Sequence, residues 1–257
     1  MKIFYFLKAI LLFVGMLTFA LLILVFGLPW WGNPKLNWVF IQTFSRYTCL
    51  LVGVKMRYVD AEKVHLRRPV VFVGNHQSAL DFAFIGSVIP SYGVVVAKRE
   101  IQYVPIFGWF FKVAGNLLID RSNKKGSLEQ ISKLAGVLIE KNIAASVFPE
   151  GTRNKASNEI LLPFKKGAFF MAISKGLPII PVVCSSLKGI AVWERFELGG
   201  GSVIVKILDP IETKNISMSE MSAFMERVRT LMQTELNALN ALVRAQTNTQ
   251  VKEAVNS

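Results

Sequence analysis

The chain has 257 residues, 52% of them hydrophobic, a mean hydropathy of +0.42 and a formal charge of +13. That length holds one good-sized domain, or one domain with an appendage, around a sizeable core. Two cysteines, Cys49 and Cys184, rule out a disulfide framework, and no zinc-ligand spacing or aromatic RNA-binding signature supports nucleic acid. A basic, apolar chain points instead to an anionic membrane surface or anionic substrates.

The first predicted element is apolar. No charge falls between Lys8 and Lys35, and residues 9–29, "AILLFVGMLTFALLILVFGLP", extend about 32 Å as a helix, enough to cross a bilayer. Trp30, Trp31 and Trp38 follow, as in an interfacial aromatic belt. The apolar region is too long for a signal peptide, and no small-x-small cleavage site follows it. A second apolar stretch, residues 36–54, carries Arg46 at its middle and reads as a helix in the interface, joined to the first by the "LPWWGNP" break. Positive charges flank both sides, so the positive-inside rule selects no single span. The expectation is a membrane-embedded helical hairpin over residues 1–58, both ends cytoplasmic, followed by a second domain over 59–257.

Beyond residue 58 the apolar runs shorten. Residues 69–74, 92–97, 116–119, 143–148, 178–183 and 202–208 read as buried strands. Helices are predicted from about Gly126 to Lys141, and from Lys166 to a C-cap glycine at Gly176 before Pro178. A long helix is predicted from Ser217, with Glu220 completing a capping box. Its stripe of Met221, Phe224, Met225, Val228, Leu231, Met232, Leu236 and Leu239 is read as core packing. Alternating strands and helices predict an α/β fold with a mixed, largely parallel sheet covered by helices.

Chemistry-bearing residues gather where strand-like runs stop. After "PVVFV" comes "GNHQSALD", with His76 and Asp81 five apart in a chain of two histidines and four aspartates. After "NLLI" come Asp120 and Arg121; after "AASVF" comes "PEGTR", residues 149–153. If these strands run parallel, His76, Asp81, Arg121, Glu150 and Arg153 share one rim, where open α/β sheets bind ligands. A five-residue spacing does not share a helix face. The pair meets if His76 lies in the strand-to-helix loop and Asp81 in the first helical turn, leaving one ring nitrogen as a base. Ser78 lacks the glycine-flanked elbow of a hydrolase, and no metal-ligand cluster is present. Arg121 and Arg153 offer forked donors for phosphate or carboxylate, and Gly151 permits close backbone approach to a ligand. Lys98 is a candidate for thioester-oxygen or phosphate contact. Glu150 has two readings, a substrate hydroxyl ligand or a partner for an arginine. Lys165 and Lys166 face anionic headgroups or water.

These blocks resemble the glycerolipid acyltransferase family, its bacterial 1-acylglycerol-3-phosphate branch in particular. "NHQSALD" (75–81), "KREIQYVPIFGW" through "GNLLIDR" (98–121), "FPEGTR" (148–153) and "LPIIPV" (177–182) occur in the family's order. The resemblance implies acyl transfer from acyl-coenzyme A or acyl-carrier protein to the 2-hydroxyl of lysophosphatidic acid, giving phosphatidic acid with no resident cofactor. It implies His76 as general base, Asp81 orienting it, and Glu150, Gly151, Arg153 and Arg121 at the glycerol phosphate. It also implies residence at a bacterial inner membrane with the catalytic domain on the cytoplasmic face. Competing readings are the same chemistry on lysophosphatidylglycerol, glycerol 3-phosphate or a lyso-amino-acid lipid; a non-catalytic lipid-binding protein; and a serine or cysteine hydrolase.

Overall fold

The computed structural model describes residues 2–120, 124–154, 159–191 and 198–255. Seven strands form one sheet: β1 (Val54–Val59), β2 (Val70–Gly74), β3 (Gly93–Lys98), β4 (Leu117–Ile119), β5 (Ala144–Val147), β6 (Ile179–Cys184) and β7 (Gly201–Ile207). Their order is β1-β7-β6-β2-β5-β3-β4, and every neighbouring pair is parallel except β6 with β7. The expected mixed, largely parallel sheet is what forms. Six of its strands lie on the six runs read from the sequence; β1 is an addition. It begins where the second apolar stretch ends, so residue 58 lies inside a strand rather than between two units.

Both faces of the sheet are covered. The run of β2 is apolar throughout because alternate residues feed two different cores, and all five are buried. Val70 and Phe72 join a cluster with Phe40, Phe44, Phe84 and Phe110. Val71 and Val73 join the other, with Leu138, Phe169, Phe224 and Val228. The first face carries α1 (Lys2–Gly27), α2 (Pro34–Val52), α3 (Asp81–Phe84) and α4 (Phe107–Val113); the second carries α5 (Lys124–Glu140), α6 (Lys166–Ile173) and α7 (Met221–Val255). Gly176 ends the α6 turn in the left-handed region (φ +62) that favours glycine. The last helix starts four residues after Ser217. Glu220 Oε2 accepts from the Ser217 main-chain N–H at 2.9 Å, but the Ser217 hydroxyl donates to the same oxygen at 2.5 Å instead of capping the helix. Only half the capping box forms, and residues 218–220 remain a turn. The stripe of α7 is core as expected, with Leu231 the exposed exception.

The first two helices form an antiparallel hairpin. Pro29 breaks the first within the turn, and Asn33 caps the second by accepting from Lys35 N–H at 2.9 Å. Gly15 admits the Tyr47 ring, since a Cβ there would meet Tyr47 Cε1 at 2.4 Å. Tyr47 then donates to the Leu11 carbonyl at 2.8 Å. The second helix is amphipathic by position: Asn37, Phe40, Ile41, Phe44, Ser45, Thr48 and Val52 are buried against the sheet layer, while Trp38, Val39, Arg46 and Leu50 face outward. The first is long and apolar enough to cross a membrane, with only 17% of its apolar window buried. Phe4, Phe13, Leu22 and Phe26 stand exposed along it. The hairpin is docked at both ends: Lys8 Nζ donates to Leu198 O, and Gly32 N–H donates to Val113 O at 2.7 Å.

Candidate active site

The strands β2, β3, β4, β5 and β6 run the same way, so their carboxyl ends make one rim. From adjacent β2 and β5 the chain leaves to opposite faces, to α3 on one and α6 on the other. A crevice opens at such a divergence. The two motifs read from the sequence sit on its two lips.

His76 lies in the loop after β2, its side chain 21% exposed, and Asp81 is the first residue of α3, fully buried. Nδ1 of His76 and Oδ2 of Asp81 are 2.8 Å apart. An ionised carboxylate only accepts, so in the neutral imidazole the favoured tautomer has the proton on Nδ1 and the lone pair on Nε2. The same Oδ2 accepts from the Ser78 main-chain N–H at 2.8 Å and from that of Gln77. Three donors at one oxygen hold the carboxylate in place, so the imidazole plane is set by the loop that carries it. The ring also stacks on Phe148, centroids 4.3 Å apart and planes 13° from parallel. Ser78 is fully buried, its Oγ accepting from Leu80 N–H at 3.2 Å, which is no posture for a nucleophile.

His76, Lys98, Gly151 and Arg153 line a single cavity of about 380 Å³. Thr152 and Asn37 join them, and most of the remaining wall is apolar: Phe40, Phe82, Phe107, Phe110, Phe111 and Phe148, with Ile41, Val95 and Ile101. The crevice therefore offers an imidazole, two cations and a glycine beside a greasy slot of a size suited to small ligands. Gly151 adopts φ +70, which places it where a side chain is strained.

Glu150 is brought to the same place but faces inward. It is 2% exposed, and burial raises its carboxyl above the ordinary value, opposed by the main-chain N–H groups of His76 and Leu162 that it accepts. Arg121 lies outside the described residues. Its neighbour Asp120 pairs with Arg99 at 2.8 Å at the same rim.

Sequence reasoning missed several contributors. Asn37, Phe40 and Ile41 of the second helix line the cavity, so the hairpin supplies part of its wall. Asn37 is locked there: it donates to Gly93 O at 3.2 Å and accepts from Asn116 Nδ2 at 3.0 Å. Asn75 and Gln77, on either side of the histidine, hook the loop onto the end of β6. Asn75 pairs with both main-chain groups of Cys184 at 2.9 and 2.8 Å. Gln77 donates to Cys184 O and Ser185 O and accepts from Leu187 N–H. The available signal was two amides flanking a histidine immediately after an apolar strand.

A family model described as "Acyltransferase" matches residues 55–185. The 1-acyl-sn-glycerol-3-phosphate acyltransferase of Haemophilus influenzae is 34% identical over 209 residues, 81% of this chain and 85% of that protein. That of Saccharomyces cerevisiae is 34% identical over 196 residues, 76% of this chain and 64% of the yeast protein. The crystal structure of the 1-acyl-sn-glycerophosphate acyltransferase PlsC from Thermotoga maritima superposes with a TM-score of 0.64 at 26% identity, covering 80% of this chain and 81% of that one. With the fold, the motif order and the matched span in agreement, this chain belongs to the acyltransferase family.

Proposed function

We propose that the chain moves a fatty acyl group from an acyl thioester to the 2-hydroxyl of lysophosphatidic acid, with His76 as the general base. The observation that carries this reading is the His76–Asp81 pair at 2.8 Å, its free ring nitrogen set in a cavity that also holds Lys98, Arg153 and a wall of phenylalanines. The relatives named as 1-acyl-sn-glycerol-3-phosphate acyltransferases supply the acceptor.

In this mechanism Nε2 takes the proton of the acceptor hydroxyl as its oxygen attacks the thioester carbon. The negative charge that builds on the thioester oxygen needs donors, for which Lys98 or main-chain N–H groups serve. When the tetrahedral species collapses, the carbon–sulfur bond breaks and the proton held on His76 goes to the departing thiolate. No covalent enzyme intermediate and no cofactor are needed. Arg153 and Gly151 hold the acceptor phosphate, Arg121 joins them on the family resemblance alone, and the apolar wall takes an acyl chain. The donor is acyl-coenzyme A or acyl-carrier protein.

The hairpin brings this chemistry to lipid. Its exposed apolar face, and its docking through Lys8 and through Gly32 in the turn, support a hairpin lying within one leaflet; in this proposal the catalytic domain lies on the cytoplasmic side. The test is acyl transfer by purified, detergent-solubilised protein, with acyl-coenzyme A or acyl-carrier protein and a panel of lyso-lipids, beside His76→Ala. Phosphatidic acid made by the wild type and lost in the variant supports the reading. Transfer only to another lyso-lipid keeps the base and replaces the acceptor. Transfer that survives in His76→Ala overturns the mechanism.

A further inference from the structure

We propose that Glu150 is a positioning residue that holds the main chain of His76 and touches neither substrate. This rests on the acyl-transfer reading above and gives one member of the "FPEGTR" block a task different from acceptor binding.

The two carboxylate oxygens are already engaged. Oε1 accepts from the His76 main-chain N–H at 2.7 Å, and Oε2 accepts from that of Leu162 at 2.8 Å. At 2% exposure no edge of the group is left to meet a ligand. The residues that follow it, Gly151, Thr152 and Arg153, line the cavity, and Glu150 does not. The positive φ of Gly151 turns the chain between the inward carboxylate and the outward arginine. An anionic acceptor phosphate also has no use for a second anion, whereas two main-chain N–H groups do. Charge-assisted bonds of this kind are the stronger class.

The rest of the block completes the hold. Asn154 N–H donates to the His76 carbonyl at 3.0 Å, so both main-chain groups of the base are tied to the loop after β5. Phe148, at the start of that loop, stacks on the ring. Asp81 sets the ring's rotation, Glu150 its place along the chain. Both are needed because the base acts on a hydroxyl that must sit at hydrogen-bond distance from Nε2, and a displacement of about 1 Å costs on the order of 10²-fold in rate.

Glu150→Gln keeps the shape but turns an amide NH₂ against one of the two N–H donors. In full-length detergent-solubilised protein, with acyl-coenzyme A and lysophosphatidic acid, kcat is expected to fall about 10- to 100-fold. KM for each substrate should stay within about twofold. The same fractional loss is expected with a monoacylglycerol acceptor, which lacks the phosphate. A second readout uses no substrate. In a His65→Gln background, His76 is the only histidine left, and its rate of carbethoxylation by diethyl pyrocarbonate should change in Glu150→Gln. Glu150→Asp, too short to reach both donors, should behave like Glu150→Gln in both assays. A KM for lysophosphatidic acid raised tenfold or more on the order expected of a lost ligand, at unchanged kcat, overturns the proposal. So does unaltered histidine reactivity in both variants. The histidine assay stands even if the wild type transfers to no acceptor, so failure of the positioning role and failure of the acyl-transfer reading give different results.

Discussion

Lys8 and Leu198 stand 190 positions apart, yet the Lys8 ammonium donates to the Leu198 carbonyl at 3.1 Å. It reaches Val52 O as well, at 3.4 Å. This bond fastens the start of the first helix to the loop that precedes β7, while Gly32 fastens the hairpin's turn to the end of α4. A helix of 26 residues, about 39 Å long, is therefore held along the domain and not end-on to it.

The first prediction concerns topology. A single cysteine at position 3, in a background without Cys49 and Cys184, should be labelled by a membrane-impermeant thiol reagent from the same side as a cysteine placed at position 248. Labelling from opposite sides would mean that the helix crosses the bilayer and the docking seen here is broken in the membrane.

His76→Ala should lower kcat for acyl transfer by about 10²- to 10⁴-fold, the usual share of a general base. Stability should fall by about 1–3 kcal/mol, because the ring is only a fifth exposed, stacks on Phe148 and hydrogen-bonds the buried Asp81 carboxylate. Steady-state kinetics with a thermal melt on the same preparation checks both halves.

Asp81→Asn should cost a comparable factor, about 10²- to 10⁴-fold in kcat, with KM for lysophosphatidic acid nearly unchanged. The amide is not charged, so the imidazole loses the partner that fixes its tautomer. Comparing kcat with KM tests this; a selective rise in KM would place Asp81 at the acceptor instead.

The apolar wall makes a prediction about chain length. Val95 lines the cavity, its main chain held by Asn116 Oδ1 at 2.8 Å. Val95→Phe should fill part of the slot, shift preference toward shorter acyl-coenzyme A donors and cost about 1–3 kcal/mol from overpacking. Competition between donors of different length, with denaturant unfolding in parallel, measures both effects.

Glu150 carries a pH dependence whose sign follows from its surroundings. Burial raises its carboxyl above the unfolded value, the two main-chain N–H groups only partly opposing this. A group raised in the folded state contributes stability that is present below its unfolded pKa and lost as pH rises through the folded value. The stability of wild type relative to Glu150→Gln should therefore decline from acid toward neutral pH and then level off. Unfolding of both proteins across that range checks the slope, and the subtraction removes surface acids such as Glu129, which Lys133 shifts the opposite way.

The fold was legible where a strand is buried on both faces, because burial writes a continuous apolar run. β1 escaped for the converse reason. It is an edge strand, "VKMRYV", with only Val54 buried, and it follows the second helix after the single residue Gly53. The His76–Asp81 pair was legible because the strand-to-helix loop brings those positions together locally. The direction of the Glu150 carboxylate was not, since it depends on Leu162 and on the path of the chain through Gly151. Nor was the share of Asn37 and Phe40 in the cavity wall. Their helix reads as membrane anchor from its composition, and only packing against the sheet layer turns one face of it into active-site lining.

The edge position of β1 has a consequence for how the chain is made. Val54 pairs with Gly201, and among the described residues β7 is the only strand beside β1. Once the hairpin is made, 201 − 54 = 147 further residues must be added before the strand next to it finds its mate. At ordinary synthesis rates that is roughly 7–30 s. Over that interval the nascent hairpin has no finished domain to lean on, and the bond from Lys8 must wait for Leu198, 190 positions later. With the hairpin placed in lipid as proposed, insertion would come before docking, and the domain would assemble on a segment already moored.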